Sequence, residues 1–380
     1  MPSYTKRLIY IDSFRGIASL GVAVFWHYKH FSSSFQSNSI GVEPPLYWFF
    51  PARFFFEYGD VMVDLFFVLS GVIFSYTYRT AVKTKKVGGY GFFMKRFSRL
   101  YPIHLFTLLL VVILVRIYYG YTGSFPIYEL NDTRHFILNV AFLQKGFFDY
   151  GYSYNAPAWS LSIEAFMYLL FFWQAKYLNV LYTSILFIAL GLFMYRLPYD
   201  LVFFVNHSIS RGLIGFFSGC ILYELMIKNN TYPRYRWLII SGYALSTLLY
   251  IFYLKDRIVL GPQLITVLLS TLLITESHYN YSIRKILDNR LFRTLGDMSL
   301  SIYMIHVPVQ LVILLYFKLS NQIIIYDSSF FFAVYGCSVV LVAWVIHVTI
   351  EKPAQQWLRN KFSVSKEKIL TSKVNKVNLN

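Results

Sequence analysis

Apolar residues come in runs of about twenty along most of the chain, separated by shorter polar stretches, the length needed to cross a bilayer as a helix. The pattern predicts ten spanning helices, near 14–31, 61–79, 101–119, 158–176, 180–196, 209–228, 236–254, 258–276, 297–318 and 328–350. The fold class expected is therefore all-α, a polytopic membrane helix bundle. Only a basic turn around Lys176 separates the fourth and fifth runs.

Basic residues orient the bundle. With Lys6 and Arg7 cytoplasmic, the loops after even-numbered spans lie on the same side. Those loops carry Arg79, Lys83, Lys85 and Lys86, then Lys176, Lys228, Arg234, Arg284, Lys285 and Arg290. The opposite loops, above all the long aromatic 32–60 and 120–157 segments, are poorer in Lys and Arg. Both termini are thus expected in the cytoplasm, in a multi-pass protein of the cell (inner) membrane. No cleavable signal peptide is evident, because the first apolar run lacks a small-residue cleavage site and more spans follow. Residues 1–360 read as one membrane domain. The lysine-rich stretch 361–380 reads as a basic, disordered or membrane-surface cytoplasmic tail.

Composition strengthens this picture. Hydrophobic residues make up 57% of the chain, aromatics 20% and charged residues 14%, against roughly 25% charged in globular proteins. A net charge of +17 raises the question of nucleic acid, but the cations sit in short loops between apolar runs, where anionic headgroups use them; no nucleic-acid partner is expected. Cys220 and Cys337 fall inside apolar runs and read as small core residues, with no disulfide or metal framework.

Four polar clusters stand out against this apolar background, where ionisable groups are costly. In "DSFRGIASLGVAVFWHYKHF", Arg15 marks one end of span one, and His27 lies about 18 Å deeper, with His30 beyond it. A neutral imidazole at depth can serve as a general base or as a packing hydrogen-bond partner. In "VDLFFVLSG", Asp64 sits at the outer end of span two, where it would orient a histidine if the fold brings the two together, while Ser70 and Gly71 suit close helix packing as well as function. In "KRFSRLYPIHL", Arg96 and Arg99 lie just before span three with Pro102 in its first turn. Such a pair offers phosphate both guanidinium forks and free backbone N–H groups, or it merely sets topology. In "NAPAWSLSIEAFMYLL", Ser160 or Ser162 is expected to cap span four, with Glu164 about one turn in. Glu224, His104, His306 and His347 are lesser candidates.

Taken in order, these stretches resemble acyltransferase family 3, membrane proteins that O-acetylate or otherwise acylate cell-surface glycans and related molecules. The resemblance rests on "IDSFRGIASL", "VDLFFVLSG", "KRFSRLYP", "PAWSLSIE", "LGDMSLSIYMIHVP" (Leu295–Pro308) and the terminal "EKP" (Glu351–Pro353), and covers about residues 8–360. It implies a cytoplasmic acyl-CoA, most simply acetyl-CoA, as donor and substrate, with no metal. Arg15, Arg96 and Arg99 would then hold the cofactor, and His27, Asp64 and Glu164 would carry the chemistry. The acceptor implied is a hydroxyl of a surface or lipid-linked carbohydrate. Oligomeric state is not legible.

The chain departs from the family pattern twice. Eleven residues separate Arg15 from His27, where relatives usually have ten. Twelve helical steps put two side chains about 120° apart, whereas eleven bring them within about 20°. A one-residue π-bulge, or a helix beginning only after Arg15, would restore the alignment. Ala165 also stands where relatives often carry a second Glu. From another class, a proton-coupled secondary transporter or flippase would use the same buried His, Asp and Glu as a relay.

Overall fold

The structure is a computed structural model. It describes residues 8–32, 43–148, 151–197, 205–228 and 262–362, with isolated positions between 237 and 248. The span expected at 236–254 and the tail expected at 361–380 lie almost entirely outside the described residues.

All regular elements among the described residues are helical. Six helical stretches are long and apolar enough to cross a membrane: Ile9–Phe31, Pro51–Lys83, Gly89–Thr122, Ala156–Tyr177, Ser299–Leu319 and Ser329–Phe362. They coincide with six of the ten runs. Without water in the hydrocarbon layer, backbone N–H and C=O groups have to pair within the segment, and only a helix allows that. The bundle also turns apolar residues outward. Ile113 and Ile117 on the third stretch, and Phe330, Leu341 and Trp344 on the last, are exposed, as lipid-facing residues should be.

We number the helices α1 (Ile9–Leu20), α2 (Phe50–Tyr58), α3 (Met62–Lys83), α4 (Gly89–Thr122), α5 (Thr133–Val140), α6 (Trp159–Tyr177), α7 (Val180–Arg196) and α8 (His207–Leu222). They continue as α9 (Pro262–Tyr279), α10 (Tyr281–Leu287), α11 (Arg290–Asp297), α12 (Ser299–Leu319) and α13 (Ser329–Ile346). Helices α7, α8 and α9 occupy three further apolar runs. Where the chain turns, short amides and hydroxyls cap the helices: Asn179 accepts from the Leu181 N–H at 3.0 Å, Asn206 from Ile209 at 3.0 Å and Ser328 from Phe331 at 3.2 Å.

Helices α3 and α8 meet through glycine. A Cβ on Gly71 would stand 1.9 Å from the Phe216 carbonyl oxygen, and one on Gly219 would stand 2.1 Å from that of Val68. The two backbones can touch only because both side chains are absent. The same device joins α1 to α11, where a Cβ on Gly296 would lie 2.2 Å from the Asp12 carbonyl oxygen.

Three local expectations are corrected. Helix α4 starts at Gly89, so Arg96 and Arg99 lie inside it and Pro102 is interior rather than in the first turn. The Lys, Arg and Leu residues before Pro102 are good helix formers, and a proline in a packed membrane helix is tolerated. The arginines therefore offer guanidinium groups without free backbone N–H. Neither Ser160 nor Ser162 caps α6, because a 3₁₀ turn over Ala156–Ala158 precedes it and its N-cap position is Ala158. Cys220 is buried, but Cys337 is exposed on α13 and is no core residue.

Candidate functional site

Helix α1 does not run straight to His27. After Leu20 it passes into a π-helical segment, Gly21–Phe25, and then a 3₁₀ segment, Trp26–Phe31. A π turn takes up one additional residue, which is the surplus counted between Arg15 and His27. Because α1 already begins at Ile9, a late helix start is ruled out. Arg15 and His27 thus face the same interior wall, formed by Val63 of α3 and Tyr303 of α12. Two cavities border that wall, and Val63 and Tyr303 line both of them.

The first cavity, about 50 Å³, collects Arg15, Arg96, Arg99, Ser70, Glu164 and Tyr168. Glu164 accepts a 2.6 Å hydrogen bond from Ser70 Oγ. Arg96 donates to the Tyr78 hydroxyl at 2.5 Å, and its guanidinium lies 4.5 Å from the centre of the Phe74 ring, a desolvated face that favours a cation. Arg15 Nη1 is 3.9 Å from Asp12. Three guanidinium groups and one carboxylate leave this cavity with an excess of positive charge suited to an anion.

The second cavity, about 190 Å³, contains His27, with Trp26, Lys29, Asp60, Tyr128, Tyr152, Trp159 and Arg211 around it. His27 Nδ1 lies 3.0 Å from the carbonyl oxygen of Val22, which belongs to the π segment. A carbonyl only accepts, so Nδ1 carries the hydrogen and the neutral ring keeps its lone pair on Nε2. Gln310 fixes the backbone beneath, donating to the His27 carbonyl at 2.7 Å while its own carbonyl oxygen lies 3.3 Å from His30 Nδ1. The ring of His306 packs 4.6 Å from that of His27.

The outer wall comes from the 120–157 loop. Asn131 accepts from the Tyr154 N–H at 2.7 Å, and Asn155 donates to Thr107 at 3.0 Å and to the Met304 carbonyl at 2.9 Å. These bonds hold Tyr154 in a left-handed conformation, φ 46°, which costs about 1–2 kcal/mol. The turn brings Tyr152 to the cavity. Burial raises the phenols of Tyr128 and Tyr152 above the usual tyrosine range, so both remain hydrogen-bond donors.

Of the sequence candidates, Arg15, Arg96, Arg99 and Glu164 share one cavity, and His27 lies in the other. Neither carboxylate reaches His27. Asp64 is bound to Arg211 of α8, with Nε–Oδ1 at 3.0 Å and Nη2–Oδ2 at 2.8 Å, and Glu164 is bound to Ser70. The expectation that either one orients the imidazole by direct contact is corrected: the Val22 carbonyl does so, because the π segment turns it toward the ring. Asp64 instead holds Arg211 against the cavity wall. Arg211 is the residue that sequence reasoning missed. A lone arginine in the apolar run "SISRGLIGFF" was the available signal.

The lesser candidates divide. His104 Nε2 bonds the Asn139 carbonyl at 2.8 Å, and Glu224 is paired with Arg79 and, at 3.3 Å, with Lys228. His347 Nδ1 and Ser301 Oγ both bond Glu351 Oε2, at 2.8 and 2.5 Å. Those are structural uses. Only His306 stands at the site.

A family profile described as an acyltransferase domain matches residues 8–348, nearly the whole described bundle. The chain belongs to acyltransferase family 3. No curated protein and no solved structure gives a significant match. Family membership and the six apolar helices make this a membrane acyltransferase. The folded chain also brings the scattered acyltransferase motif pieces together. "IDSFRG" touches "LGDMS" through Asp12 and Gly296. "VDLFFVLSG" meets "PAWSLSIE" through Ser70 and Glu164, and "SLSIY" meets "EKP" through Ser301 and Glu351.

Proposed function

We propose that this chain is an O-acyltransferase that moves an acyl group, most simply acetyl, from acyl-CoA to a hydroxyl of a cell-surface or lipid-linked carbohydrate. In this reading ten spans lie in the inner membrane with both ends cytoplasmic. The donor enters from the cytoplasm, with its phosphates against Arg15, Arg96 and Arg99. The acceptor enters the His27 cavity from the other side. Aromatic faces of Trp26, Tyr128, Tyr152 and Trp159, with the Asp60 carboxylate, suit a sugar, whose C–H faces pack on rings while its hydroxyls donate to carboxylate.

His27 Nε2 takes the proton of the acceptor hydroxyl as the hydroxyl oxygen attacks the thioester carbonyl. The C–S bond then breaks, an ester forms, and the imidazolium returns the proton to the leaving thiolate. Keeping water out of the bundle protects the thioester. The observation that carries this reading is the His27 imidazole, with Nδ1 tied to Val22, in a cavity that shares Val63 and Tyr303 with one lined by three arginines.

The test is His27→Ala, purified and reconstituted in proteoliposomes with radiolabelled acyl-CoA and a glycan extract. Transfer should fall by about 100-fold or more, the scale of a lost general base, with helix content unchanged. A folded variant that transfers at the wild-type rate refutes the assignment.

A further inference from the structure

Beyond the arginine cavity lies a third, larger one. Its volume is about 480 Å³, within the roughly 300–1,000 Å³ of ligand pockets. Three cations line it, Lys86 from the turn before α4, Lys95 on α4 and Arg359 on the helical stretch 352–362, and no lining residue is acidic. Among the described residues none of the three has a carboxylate within ion-pair range, whereas Arg15, Arg53, Arg79, Arg211, Lys228 and Arg293 each do. At the rim, the rings of Tyr90 and Phe362 stand edge to face, 6.3 Å apart. A Cβ on Gly88 or Gly91 would meet nothing within 4 Å, so that wall is open backbone.

Tyr78 joins this cavity to the arginines. It lines the outer cavity, and its hydroxyl accepts from Arg96, which lines the inner one. Along α4, Lys95 and Arg99 are separated by about 6 Å of helix axis. Positive charge therefore continues from an open, aromatic-rimmed chamber to the narrow inner cavity. Coenzyme A has a matching shape and charge: an adenosine bearing a 3′-phosphate and a 5′-diphosphate, then a thin uncharged arm ending in sulfur.

We infer that this chamber binds the adenosine end of the donor, with Lys86, Lys95 and Arg359 around its 3′-phosphate and Tyr90 and Phe362 beside the base. The inference rests on the acyl-CoA reading above. It places the 3′-phosphorylated adenosine on residues outside the arginine cluster and leaves the diphosphate to Arg96 and Arg99, with the arm and the thioester running on into the inner cavity. Guanidinium and ammonium groups on phosphate give strong charge-assisted hydrogen bonds, and base–aromatic stacking adds to them.

Equilibrium binding to the full chain in neutral phosphatidylcholine nanodiscs tests this, with CoA, 3′-dephospho-CoA and pantetheine as probes. The wild-type protein should prefer them in that order. Lys86→Ala, Lys95→Ala and Arg359→Ala should each weaken CoA by roughly 3- to 10-fold, the range of partly exposed charged hydrogen bonds, and leave pantetheine unchanged. Together they should erase the preference for CoA. If the wild type binds CoA and the variants bind it equally well, the chamber is overturned and the donor reading stands. If the wild type binds no CoA, the donor reading itself falls, and the chamber falls with it. A difference that appears only in discs containing phosphatidylglycerol identifies a lipid headgroup as the occupant and also overturns the proposal.

Discussion

Asp64 and Arg211 lie 147 residues apart in sequence and form a two-point pair, with 0% and 8% of their surfaces exposed. Removing one partner from such a buried pair costs about 3–5 kcal/mol, because the other charge is left without compensation. The two single variants should not cost the same. In Asp64→Leu, Arg211 still donates to the Asp60 carbonyl at 2.9 Å and lies 3.9 Å from the Asp60 carboxylate, which places the loss near 3 kcal/mol. In Arg211→Met, the Asp64 carboxylate has no other cation in ion-pair range among the described residues, so the loss should approach 5 kcal/mol. The double variant removes both charges and replaces them with apolar volume, an exchange that is often neutral. It should be more stable than the sum of the singles by at least ~2 kcal/mol. Reversible unfolding in mixed micelles, followed by tryptophan fluorescence, measures all four corners of the cycle. Trp159, whose ring lies 5.3 Å from the Arg211 guanidinium, is a local reporter. Additive single effects, or singles that cost less than ~0.5 kcal/mol each, would show that the pair does not hold α3 to α8 as described.

Three further outcomes follow from the same geometry. Arg99→Gln should raise the donor KM roughly tenfold with little change in kcat, as expected for one lost charge-assisted contact; steady-state kinetics at varied acyl-CoA would contradict this if kcat fell instead. Glu164→Gln keeps an acceptor for Ser70 but removes the one carboxylate lining the three-arginine cavity, so an anionic donor should bind tighter and its KM should fall roughly 2- to 5-fold; a raised KM would mean that Glu164 itself helps to hold the donor. Gly71→Ala drives a methyl into the Phe216 carbonyl, 1.9 Å from its Cβ position. Because backbone cannot step aside, it should cost at least ~3 kcal/mol, read as lost thermal stability in detergent, and a variant as stable as wild type would mean the α3–α8 contact is looser than drawn.

Much of this fold could be read from hydrophobic runs because the bilayer imposes one length and one backbone solution on every span. The candidate site was legible for a related reason: Arg15, His27, Asp64 and Glu164 are conspicuous where apolar residues are the rule. What stayed hidden was partnership. The pairing of Asp64 with Arg211 depends on Gly71 and Gly219 letting two distant helices touch, and no local pattern records that contact. The start of α4 was misjudged because Pro102 suggests a helix beginning in water, whereas a packed membrane helix accommodates it. The count from Arg15 to His27 pointed to either a π turn or a late start, and only the three-dimensional path of α1 separated the two.

The wall of Val63 and Tyr303 bears on the energy economy of the cell that carries this protein. If the proposed reaction draws its substrates from two aqueous compartments, the protein is one rearrangement away from being a pore, and a continuous column of water would short-circuit the proton and ion gradients across the membrane. Tyr303 is fastened by its hydroxyl to Ser160 and to the Pro157 carbonyl, each at 3.0 Å, so the septum is pinned at its polar end.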